Sequence, residues 1–311
     1  MQLRKIVVLK IGGRALEPAG ESAAAGESAA VGAPPAPADD ALGALVADLA
    51  TLDTPVVIVH GGGAEVTTWC ERLGVAPRFV DGLRVTDPPA LEVATAVLAG
   101  LANKRLVARL RAAGIDAVGL SGLDGGTIEA VPHPRAQALG AVGAVFDVQP
   151  ALLETLLGQG RVPVVASICD HGGALLNVNA DDLAAALAGA LHARALVLLS
   201  DAPGLVIDGA TVPRLDPEAL PNAIEHPEVK GGMRPKLIAA RAALDAGVPR
   251  VHIAAWSGPG TLSAILGGAG GGTTVATAAN FATPAPAGGG SATPAGHAAR
   301  ASTSTAGVRH D

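Results

Sequence analysis

Short apolar runs alternate along the chain with longer segments that are rich in alanine and leucine. Six runs, at 6–11, 56–60, 117–120, 162–167, 195–200 and 251–254, are apolar at nearly every position, as in strands that are covered on both faces. Helical patterns lie at 40–52, 64–73, 88–112, 150–159, 181–192, 234–246 and 259–266. The alternation predicts an α/β fold with a mostly parallel sheet between helices. The carboxyl ends of the strands then meet at one edge, where ligands bind in such folds.

Two segments lack the large apolar side chains that a packed core needs. Residues 17–38 consist mainly of Ala, Gly, Pro, Ser and Glu, and residues 277–311 are rich in Ala, Thr, Pro and Gly. Such segments bury too little surface to offset the entropy that is lost when a chain becomes ordered. We therefore predict a disordered insertion at 17–38 and a disordered tail at 277–311.

Charge and cysteine content exclude several classes of protein. The formal net charge is -6 and the basic residues are scattered, which argues against a nucleic-acid partner. No uninterrupted apolar stretch of about 18 residues occurs, so we predict no membrane span. The first residues do not resemble a signal peptide, and Cys70 and Cys169 lie far apart, as expected of buried thiols in a reducing compartment. These features predict a cytoplasmic protein.

Two glycine turns follow the first two apolar runs. Lys10 is a charged residue in an apolar strand, just before Gly12 and Gly13, and such a lysine is costly to bury unless it meets an anion. The string HGGG at 60–63 leads into a helical pattern, whose free amide groups can bind an anion. It lacks the ending of a P-loop. The turns predict an anion site, although a surface lysine and a sharp strand-to-helix turn fit the same letters.

Polar side chains that suit an acidic ligand follow later in the chain. The guanidinium of Arg84 can hold a carboxylate through paired donors, or it can pair with a neighbouring aspartate. Asn177 and Asn179 lie two positions apart, so in an extended chain they point the same way and could hold an amide and a carboxylate. Asp181 begins the next helical pattern, where aspartate is also a good helix cap.

Two further turns complete the set of candidate loops. The turn at 200–205 follows the fifth apolar run and contains residues that favour turns. Lys236 lies in the first turn of a helical pattern, where a cation opposes the helix dipole unless a phosphate is near. A solvated lysine is the alternative. Asp181 could orient both Lys10 and Lys236 by pairing with them.

These strings, considered as a set, resemble the amino-acid kinase family. They occur in the family's order and cover roughly residues 4 to 276: VVLKIGGRAL, VIVHGGGAEV, FVDGLRVTD, NKRLVARL, AVGLSGLDGG, VPVVASI, LLNVNADDLAAALAGAL, LVLLSDAPGLV, KGGMRPKLIAARAAL and RVHIAAW. Two of them, FVDGLRVTD and NVNAD, are similar to the acetylglutamate kinases within that family.

The resemblance implies a fold, an assembly and a reaction. The fold is a three-layer αβα sandwich with a mainly parallel central sheet of about eight strands. It has an N-terminal acceptor-binding lobe at 1–176 and a C-terminal nucleotide-binding lobe at 177–276, and it forms a homodimer through the N-terminal lobe. The reaction is phosphorylation of the γ-carboxylate of N-acetyl-L-glutamate by ATP with Mg²⁺.

The resemblance also implies a role for each candidate residue. The catalytic residues are Lys10, Lys236 and Asp181. The substrate-binding residues are Gly62, Gly63, Arg84, Asn177 and Asn179. The nucleotide-binding residues are Gly12, Gly13, Ser200, Asp201, Gly204, Leu205, Lys230, Gly231 and Gly232. No separate metal site is implied, because Mg²⁺ is carried mainly by the nucleotide.

One departure from the family pattern keeps a second acceptor open. Leu123 stands where many acetylglutamate kinases have lysine, and leucine also occurs there in related kinases whose acceptor, aminoadipate or glutamate, is attached to an acidic carrier protein. Such an acceptor needs a basic rim around its pocket, for which Arg78, Arg84, Lys104 and Arg105 are candidates. A non-catalytic sensor on this fold would lack Lys10, Lys236 or Asp181, and all three are present.

Overall fold

The computed structural model describes residues 5–12, 41–80 and 82–281. The predicted insertion at 17–38, the part of the predicted tail after residue 281, and Gly13 of the predicted nucleotide site lie outside the described residues. Within the described ranges, no helix is both long enough and apolar enough to cross a membrane.

Sixteen strands and eleven α-helices form the described part of the chain. The strands are β1 (Val7–Ile11), β2 (Val56–His60), β3 (Phe79–Val80), β4 (Leu83–Arg84), β5 (Ala117–Ser121), β6 (Ile128–Pro132), β7 (Val142–Val148), β8 (Val162–Ala166), β9 (Ile168–His171), β10 (Ala174–Val178), β11 (Ala195–Ser200), β12 (Val206–Ile207), β13 (Ala210–Thr211), β14 (Arg214–Leu215), β15 (Arg250–Ala255) and β16 (Thr273–Ala276). The helices are α1 (Ala41–Ala50), α2 (Gly63–Arg72), α3 (Pro88–Thr95), α4 (Asn103–Ala112), α5 (Ala136–Leu139), α6 (Ala151–Gly158), α7 (Ala180–Ala190), α8 (Leu220–Ile224), α9 (Met233–Asp245), α10 (Thr261–Leu266) and α11 (Ala278–Phe281).

The central sheet has eight strands in the order β14-β16-β15-β11-β1-β2-β8-β5. The six strands from β15 to β5 are parallel to one another, whereas β16 is antiparallel to β15 and β14 is parallel to β16. All six apolar runs of the sequence are strands of this sheet, so the prediction of a mainly parallel α/β sheet is confirmed.

Helices cover both faces of the central sheet, which is why its strands are apolar at every position. In β1, Val8 packs into a core that contains Leu183 of α7 and Leu237 of α9. Its neighbour Leu9 faces the opposite core, which contains Leu45 of α1 and further side chains of α4 and α10. Successive side chains of a strand point to opposite faces, so a strand covered on both faces has no polar side. The three-layer arrangement of the prediction is confirmed.

The helical pattern at 88–112 is not one continuous α-helix. Asp87 caps its start by accepting a hydrogen bond from Ala90 N at 3.1 Å, and α3 then leads into a π-helix at Ala96–Ala102 before α4 begins. A π-helix closes wider turns than an α-helix and is often found at functional sites. This one lies beside the cavity described below, to which it contributes Leu98.

Several short strands outside the central sheet were not predicted. Four of them close into a small barrel in the order β10-β7-β6-β9, while β3 with β4 and β12 with β13 form hairpins. Their apolar patterns are short, and partners such as β7 and β10 lie far apart in the chain. Residues 277–281, the start of the predicted tail, also have structure, because α11 lies there and Asn280 Nδ2 donates to Pro249 O at 3.1 Å.

A buried aspartate joins the two helices α1 and α10. Asp48 is 2% exposed; its Oδ1 accepts a hydrogen bond from Gly260 N at 2.8 Å. Its Oδ2 accepts from Leu262 N at 3.0 Å and from Trp256 Nε1 at 3.2 Å. The carboxylate therefore binds amide groups at the N-terminus of α10, where a negative charge is favoured.

Candidate active site

The carboxyl ends of β1, β2, β8 and β10 surround a cavity of about 250 Å³. Lys10 and Gly12 line it from β1, the glycine turn at 61–63 from β2, and Ser167 from the end of β8. The β3–β4 hairpin forms another part of the wall. Ligands bind at this edge in parallel α/β sheets, so the position agrees with the prediction from the strand pattern.

Two lysines and one aspartate converge beside this cavity. Lys10 Nζ lies 2.9 Å from Asp181 Oδ1, and Lys236 Nζ lies 3.2 Å from Asp181 Oδ2. All three residues are buried, although the cavity reaches Lys10 and Asp181. Lys236 also donates to Gly232 O at 3.3 Å. The structure thus brings together the three residues that we predicted to be catalytic, from segments that lie far apart in the chain.

The surroundings of the three groups keep the carboxylate ionised. Burial alone would raise the pKa of Asp181, but the charges of Lys10 and Lys236 outweigh it and hold that pKa below its ordinary value of 3.8. Burial lowers the pKa of Lys10, and the charge of Asp181 opposes this effect. Two basic side chains thus face one carboxylate, so the site is suited to an additional anion.

Gly12 leaves room for the side chain of Lys10, because it has no Cβ atom. A Cβ atom on residue 12 would overlap Lys10 Nζ, so any larger residue there would displace the ammonium group. Gly12 also lines the cavity. This close approach explains the glycine directly after β1 without reference to a ligand.

The second glycine turn presents the start of a helix to the cavity. Helix α2 begins at Gly63, and Gly62 precedes it with no side chain that caps the helix. Both glycines line the cavity. The first amide groups of a helix have no acceptor within the helix, so they are available to an anionic ligand.

Arg84 is held over the cavity with one nitrogen unused. Its Nη2 donates to Gly63 O at 2.7 Å and to Thr67 Oγ1 at 2.6 Å, and the guanidinium lies 4.7 Å from the centre of the Phe79 ring. Its Nη1 is buried and has no hydrogen-bond partner among the described residues. A buried donor of this kind is costly unless a ligand accepts from it.

The two predicted asparagines both line the cavity but have different partners. Asn177 Nδ2 donates to Thr86 Oγ1 at 3.2 Å. Asn179 Oδ1 accepts from Asp181 N at 2.8 Å and so caps helix α7. The alternative in which Asp181 is the helix cap is therefore wrong, and the carboxylate of Asp181 is left to the lysines.

Of the predicted nucleotide-binding residues that the structure describes, Gly12 lines the cavity, whereas those at 200–205 and 230–232 lie outside it and in different environments. Leu205 is fully buried, and its N–H donates to Thr273 Oγ1, against which Gly204 also packs. These two residues are buried inside the loop and pack it against Thr273. Ser200 lies at the end of β11, where its Oγ accepts a hydrogen bond from Ala202 N at 3.2 Å. Four other residues of the predicted nucleotide site are exposed at the surface. The exposed residues are Asp201, Lys230, Gly231 and Gly232.

Comparison with known proteins gives the family. Residues 5–255 match the amino acid kinase family. The chain belongs to this family. An acetylglutamate kinase from Methanopyrus kandleri is 49% identical over 214 residues, which are 65% of this chain and 86% of that protein. An acetylglutamate kinase from Chloroflexus aurantiacus is 45% identical over 215 residues, covering 68% of this chain and 85% of that protein.

A solved structure with the same fold gives a further comparison. It is N-acetylglutamate synthase from Neisseria gonorrhoeae, complexed with coenzyme A and N-acetyl-glutamate. It is 26% identical to this amino acid kinase with a TM-score of 0.70, and the match covers 89% of this chain and 60% of that chain.

Some residues of this amino acid kinase site were not predicted. Ser167 lines the cavity at the end of an apolar run, a position where a polar residue is a recognisable signal in a parallel sheet. Thr86 is buried and accepts from Asn177. Asn103 is completely buried at the start of α4 and contacts His60. Nothing in its local sequence indicated this contact, because the two residues lie 43 positions apart.

The basic rim that a carrier-linked acceptor needs is not formed by its candidates. Arg78 pairs with Asp87 at 2.7 Å, and Arg105 pairs with Glu65 at 2.5 Å. Lys104 donates to Asn103 Oδ1 and to Gly119 O. Of the four candidates, Arg84 alone lines the cavity. Leu123 packs with an apolar cluster and does not line the cavity.

Proposed function

We propose that this protein transfers the γ-phosphoryl group of ATP to the side-chain carboxylate of N-acetyl-L-glutamate, a step of arginine biosynthesis. The product is N-acetyl-L-glutamyl 5-phosphate. The observation that carries the proposal is the convergence of Lys10, Lys236 and Asp181 beside a cavity with polar walls. Relatives named acetylglutamate kinase, at 49% and 45% identity, support the choice of acceptor.

The chemistry needs positive charge and positioning more than a base. A carboxylate oxygen is already a nucleophile; it attacks the γ-phosphorus, and the bond from that phosphorus to the β,γ-bridging oxygen breaks to release ADP. Lys10 would contact the acceptor and the transferring group from the cavity wall. Lys236 would contact that group from the other side of Asp181. Because Asp181 holds both lysines in place beforehand, they need little rearrangement during the reaction.

The walls of the cavity suit an N-acylated acidic amino acid. The Nη1 of Arg84, which has no hydrogen-bond partner among the described residues, would donate to the α-carboxylate, a group that a guanidinium binds well. The side chains of Asn177 and Asn179 can contact the amide and carboxylate groups. Val66 and Leu98 are apolar parts of the wall that suit the acetyl methyl group. Gly62 and Gly63 would bind oxygen atoms of the reacting carboxylate or phosphoryl group.

ATP would bind across the carboxyl ends of β1 and β11. Gly12 and Gly13 would approach its phosphates, with the loop at 200–205 and the turn at 230–232 around the rest of the nucleotide. Mg²⁺ bound to the phosphates would neutralise part of their charge. No group of three or more His, Cys, Asp or Glu side chains in the described ranges could hold a metal ion, and we propose that the ion enters with ATP.

We further propose the lobe division and assembly that the family resemblance implies. The N-terminal lobe at 1–176 would supply most of the cavity wall. The C-terminal lobe at 177–276 would supply the loops around the nucleotide, at 200–205 and 230–232. A homodimer through the N-terminal lobe would cover β5, the edge strand of the central sheet, and the exposed Leu101 of the π-helix. A cytoplasmic location is supported by two free, buried cysteines, Cys70 and Cys169.

The proposal is tested by trapping the acyl phosphate. A sample incubated with ATP, Mg²⁺, N-acetyl-L-glutamate and hydroxylamine should yield the acyl hydroxamate and an equal amount of ADP. Free glutamate, α-aminoadipate and a carrier-linked acceptor serve as competing substrates, and N-acetyl-L-glutamate should have the highest kcat/KM. A folded sample that forms no hydroxamate from N-acetyl-L-glutamate would refute the proposal.

A further inference from the structure

A buried asparagine contacts the strand that carries the second glycine turn. Asn103 Nδ2 lies 2.9 Å from Val164 O, 3.2 Å from Leu120 O and 3.0 Å from His60 Nε2. Asn103 Oδ1 accepts from Lys104 Nζ at 3.1 Å. The two N–H groups of Nδ2 are shared among these three acceptors, and the ammonium donor at Oδ1 fixes which end of the amide is the nitrogen. Its nitrogen therefore faces His60, and an amide nitrogen can only donate.

The contact with Asn103 determines where the proton of His60 lies. Because Nε2 accepts a hydrogen bond, the neutral ring carries its proton on Nδ1. His60 Nδ1 lies 2.9 Å from Gly61 O, and the protonated nitrogen donates to that carbonyl. Burial lowers the pKa of His60 to about 4, so the ring is neutral near pH 7. The nearby charge of Lys104 acts in the same direction.

The bond from His60 fixes the direction of an amide group in the cavity wall. The carbonyl of Gly61 and the N–H of Gly62 belong to one planar trans peptide and point in opposite directions. With the carbonyl directed at the His60 ring, the Gly62 N–H points away from it. Gly62 lines the cavity, and its N–H has no hydrogen-bond acceptor in the described part of the chain.

The π-helix packs against the same glycine turn, at 60–63, through a second side chain. Residues five apart in an α-helix point roughly 140° apart, whereas the wider turns of a π-helix bring them closer to one face. Leu98 and Asn103 are five apart across this segment, and they reach Gly62 and His60, respectively. A Cβ atom on residue 62 would lie 2.9 Å from Leu98 Cδ2, so the turn is packed closely against the segment.

We propose that Asn103 is a positioning residue, which through His60 holds the Gly61–Gly62 peptide with its amide directed into the acceptor cavity. The ligand of that amide, an oxygen of the acceptor or of the transferring phosphoryl group, rests on the proposed function. The orientation of the peptide does not. Asn103 also donates to carbonyls within β5 and β8, so a purely structural role is the alternative to be tested.

Kinetics of Asn103→Leu, which has a similar shape but no donor, form the first test. We expect kcat/KM for N-acetyl-L-glutamate to fall about tenfold, less than the 10²–10³ seen when such a donor is deleted outright. The KM for ATP should change less than twofold. The control is Asp48→Asn, which loses buried hydrogen bonds between α1 and α10, outside the cavity lining. If Asn103→Leu and Asp48→Asn were equally stable and lost kcat/KM to the same extent, the proposal would be overturned.

Substitutions of His60 provide a second test that leaves Asn103 in place. The amide nitrogen of His60→Asn falls near the position of Nδ1 and can still donate to Gly61 O, whereas that of His60→Gln falls near Nε2. We expect His60→Asn to retain about tenfold more kcat/KM than His60→Gln. In the His60→Asn background, Asn103→Leu should then have little further effect, because coupled residues are not additive. Additive losses would contradict a role of Asn103 through His60.

Nitrogen-15 NMR of the histidine rings tests the orientation without any substrate. His60, assigned by its absence in His60→Asn, should show a protonated Nδ1 and an unprotonated Nε2 from pH 8 down to pH 5. In Asn103→Leu it should become a mixture of the two neutral forms. A protonated Nε2 in the wild type would overturn the inference whatever the enzyme's substrate is. Failure to turn over N-acetyl-L-glutamate would count against the proposed function alone.

Discussion

Two aspartates in this protein are almost equally buried but are stabilised in different ways. Asp181 is 5% exposed and faces two ammonium groups, those of Lys10 and Lys236. Asp48 is 2% exposed and accepts hydrogen bonds from three neutral N–H groups, those of Gly260, Leu262 and Trp256. Burial of a charged group is costly in both places, and in both places the partners offset that cost.

The difference in partners separates the proposed active site from a structural contact. The Asp181 carboxylate contacts two ammonium groups beside a cavity, so a further anion can share those ammonium groups with it. Around Asp48 every partner is a fixed dipole of the backbone or of an indole ring, and the contacts join α1 to α10. We infer that Asp181 orients mobile charge for chemistry, whereas Asp48 holds two helices together. Changes in the two regions should therefore affect different measurements.

The largest expected effect is on turnover, from removal of either lysine. Lys10→Met and Lys236→Met should each lower kcat about 10³-fold, the upper range for loss of one preorganised donor. Asp181 keeps one cationic partner in each variant, so the free energy of unfolding should change by less than about 1 kcal/mol, well below the cost of an unpaired buried charge. Steady-state kinetics and urea unfolding measure the two quantities.

The exposed Lys5 supplies the matched control for that experiment. Lys5→Met removes the same charge and should leave kcat within about twofold. If Lys10→Met unfolds the protein instead of inactivating it, the distinction between the two aspartates fails.

The second effect is on stability, from a change at Asp48. Asp48→Asn places an amide N–H₂ group against donors that now bind a carboxylate. Leaving buried donors unsatisfied costs about 1–3 kcal/mol each, so the free energy of unfolding should fall by about 3 kcal/mol. The kcat of the folded variant should stay within about twofold. Asp53→Asn, at an exposed position, is the control for loss of charge. A tenfold loss of kcat would show that the α1–α10 junction acts on the site.

A smaller effect on turnover is expected from Gly12→Ala. The added methyl group would overlap Lys10 Nζ and move the ammonium group away from its present contact with Asp181. We expect kcat to fall about tenfold, since the charge is displaced rather than removed. The free energy of unfolding should change little. Gly271→Ala is the control, because a Cβ atom there meets nothing within 4 Å. Unchanged kcat in Gly12→Ala would disprove this explanation of the turn.

The smallest effect concerns acid unfolding. The lysines hold the pKa of Asp181 below its ordinary 3.8 in the folded state. Between the folded pKa and 3.8 the unfolded chain binds more protons at this residue, so its contribution to stability is present above pH 3.8 and is lost as the pH falls through the folded value. The difference in unfolding free energy between wild type and Asp181→Asn should therefore shrink below pH 3.8. Denaturant unfolding at several pH values measures it, and a difference that grows in acid would contradict the ion pairs.

Sequence patterns predicted the core of the fold well because its strands are covered on both sides. The run at 56–60 matches β2 at both ends, since an apolar stretch between turns has few alternatives. The helical pattern at 88–112 was predicted without its π-helix, because apolar spacing does not distinguish an extra residue per turn from a regular helix. The β10-β7-β6-β9 barrel was missed because its strands are short and its pairings join distant segments.

The charged residues of the candidate site could be predicted from the sequence, whereas the buried polar contacts behind them could not. Lys10 and Asp181 were identified because a charge in an apolar strand, or at the start of a helix, needs an explanation, and Arg84 because a guanidinium suits a carboxylate. The hydrogen-bond chain from Asn103 through His60 could not be predicted, since it depends on which side chains meet beneath the sheet edge. The roles of the loops at 200–205 and 230–232 remain predictions.

The sequence by itself determined the sheet, the edge at which ligands bind and the types of residue that gather there, because these depend on local periodicity and on the handedness of chain crossovers. Only the tertiary structure decided which partner each buried charge has. Asp181 and Asp48 are the same residue type in the sequence and therefore have the same intrinsic chemistry. They differ because the energy of a buried carboxylate depends on the groups within a few ångströms of it, and folding brings those groups from segments far away in the sequence.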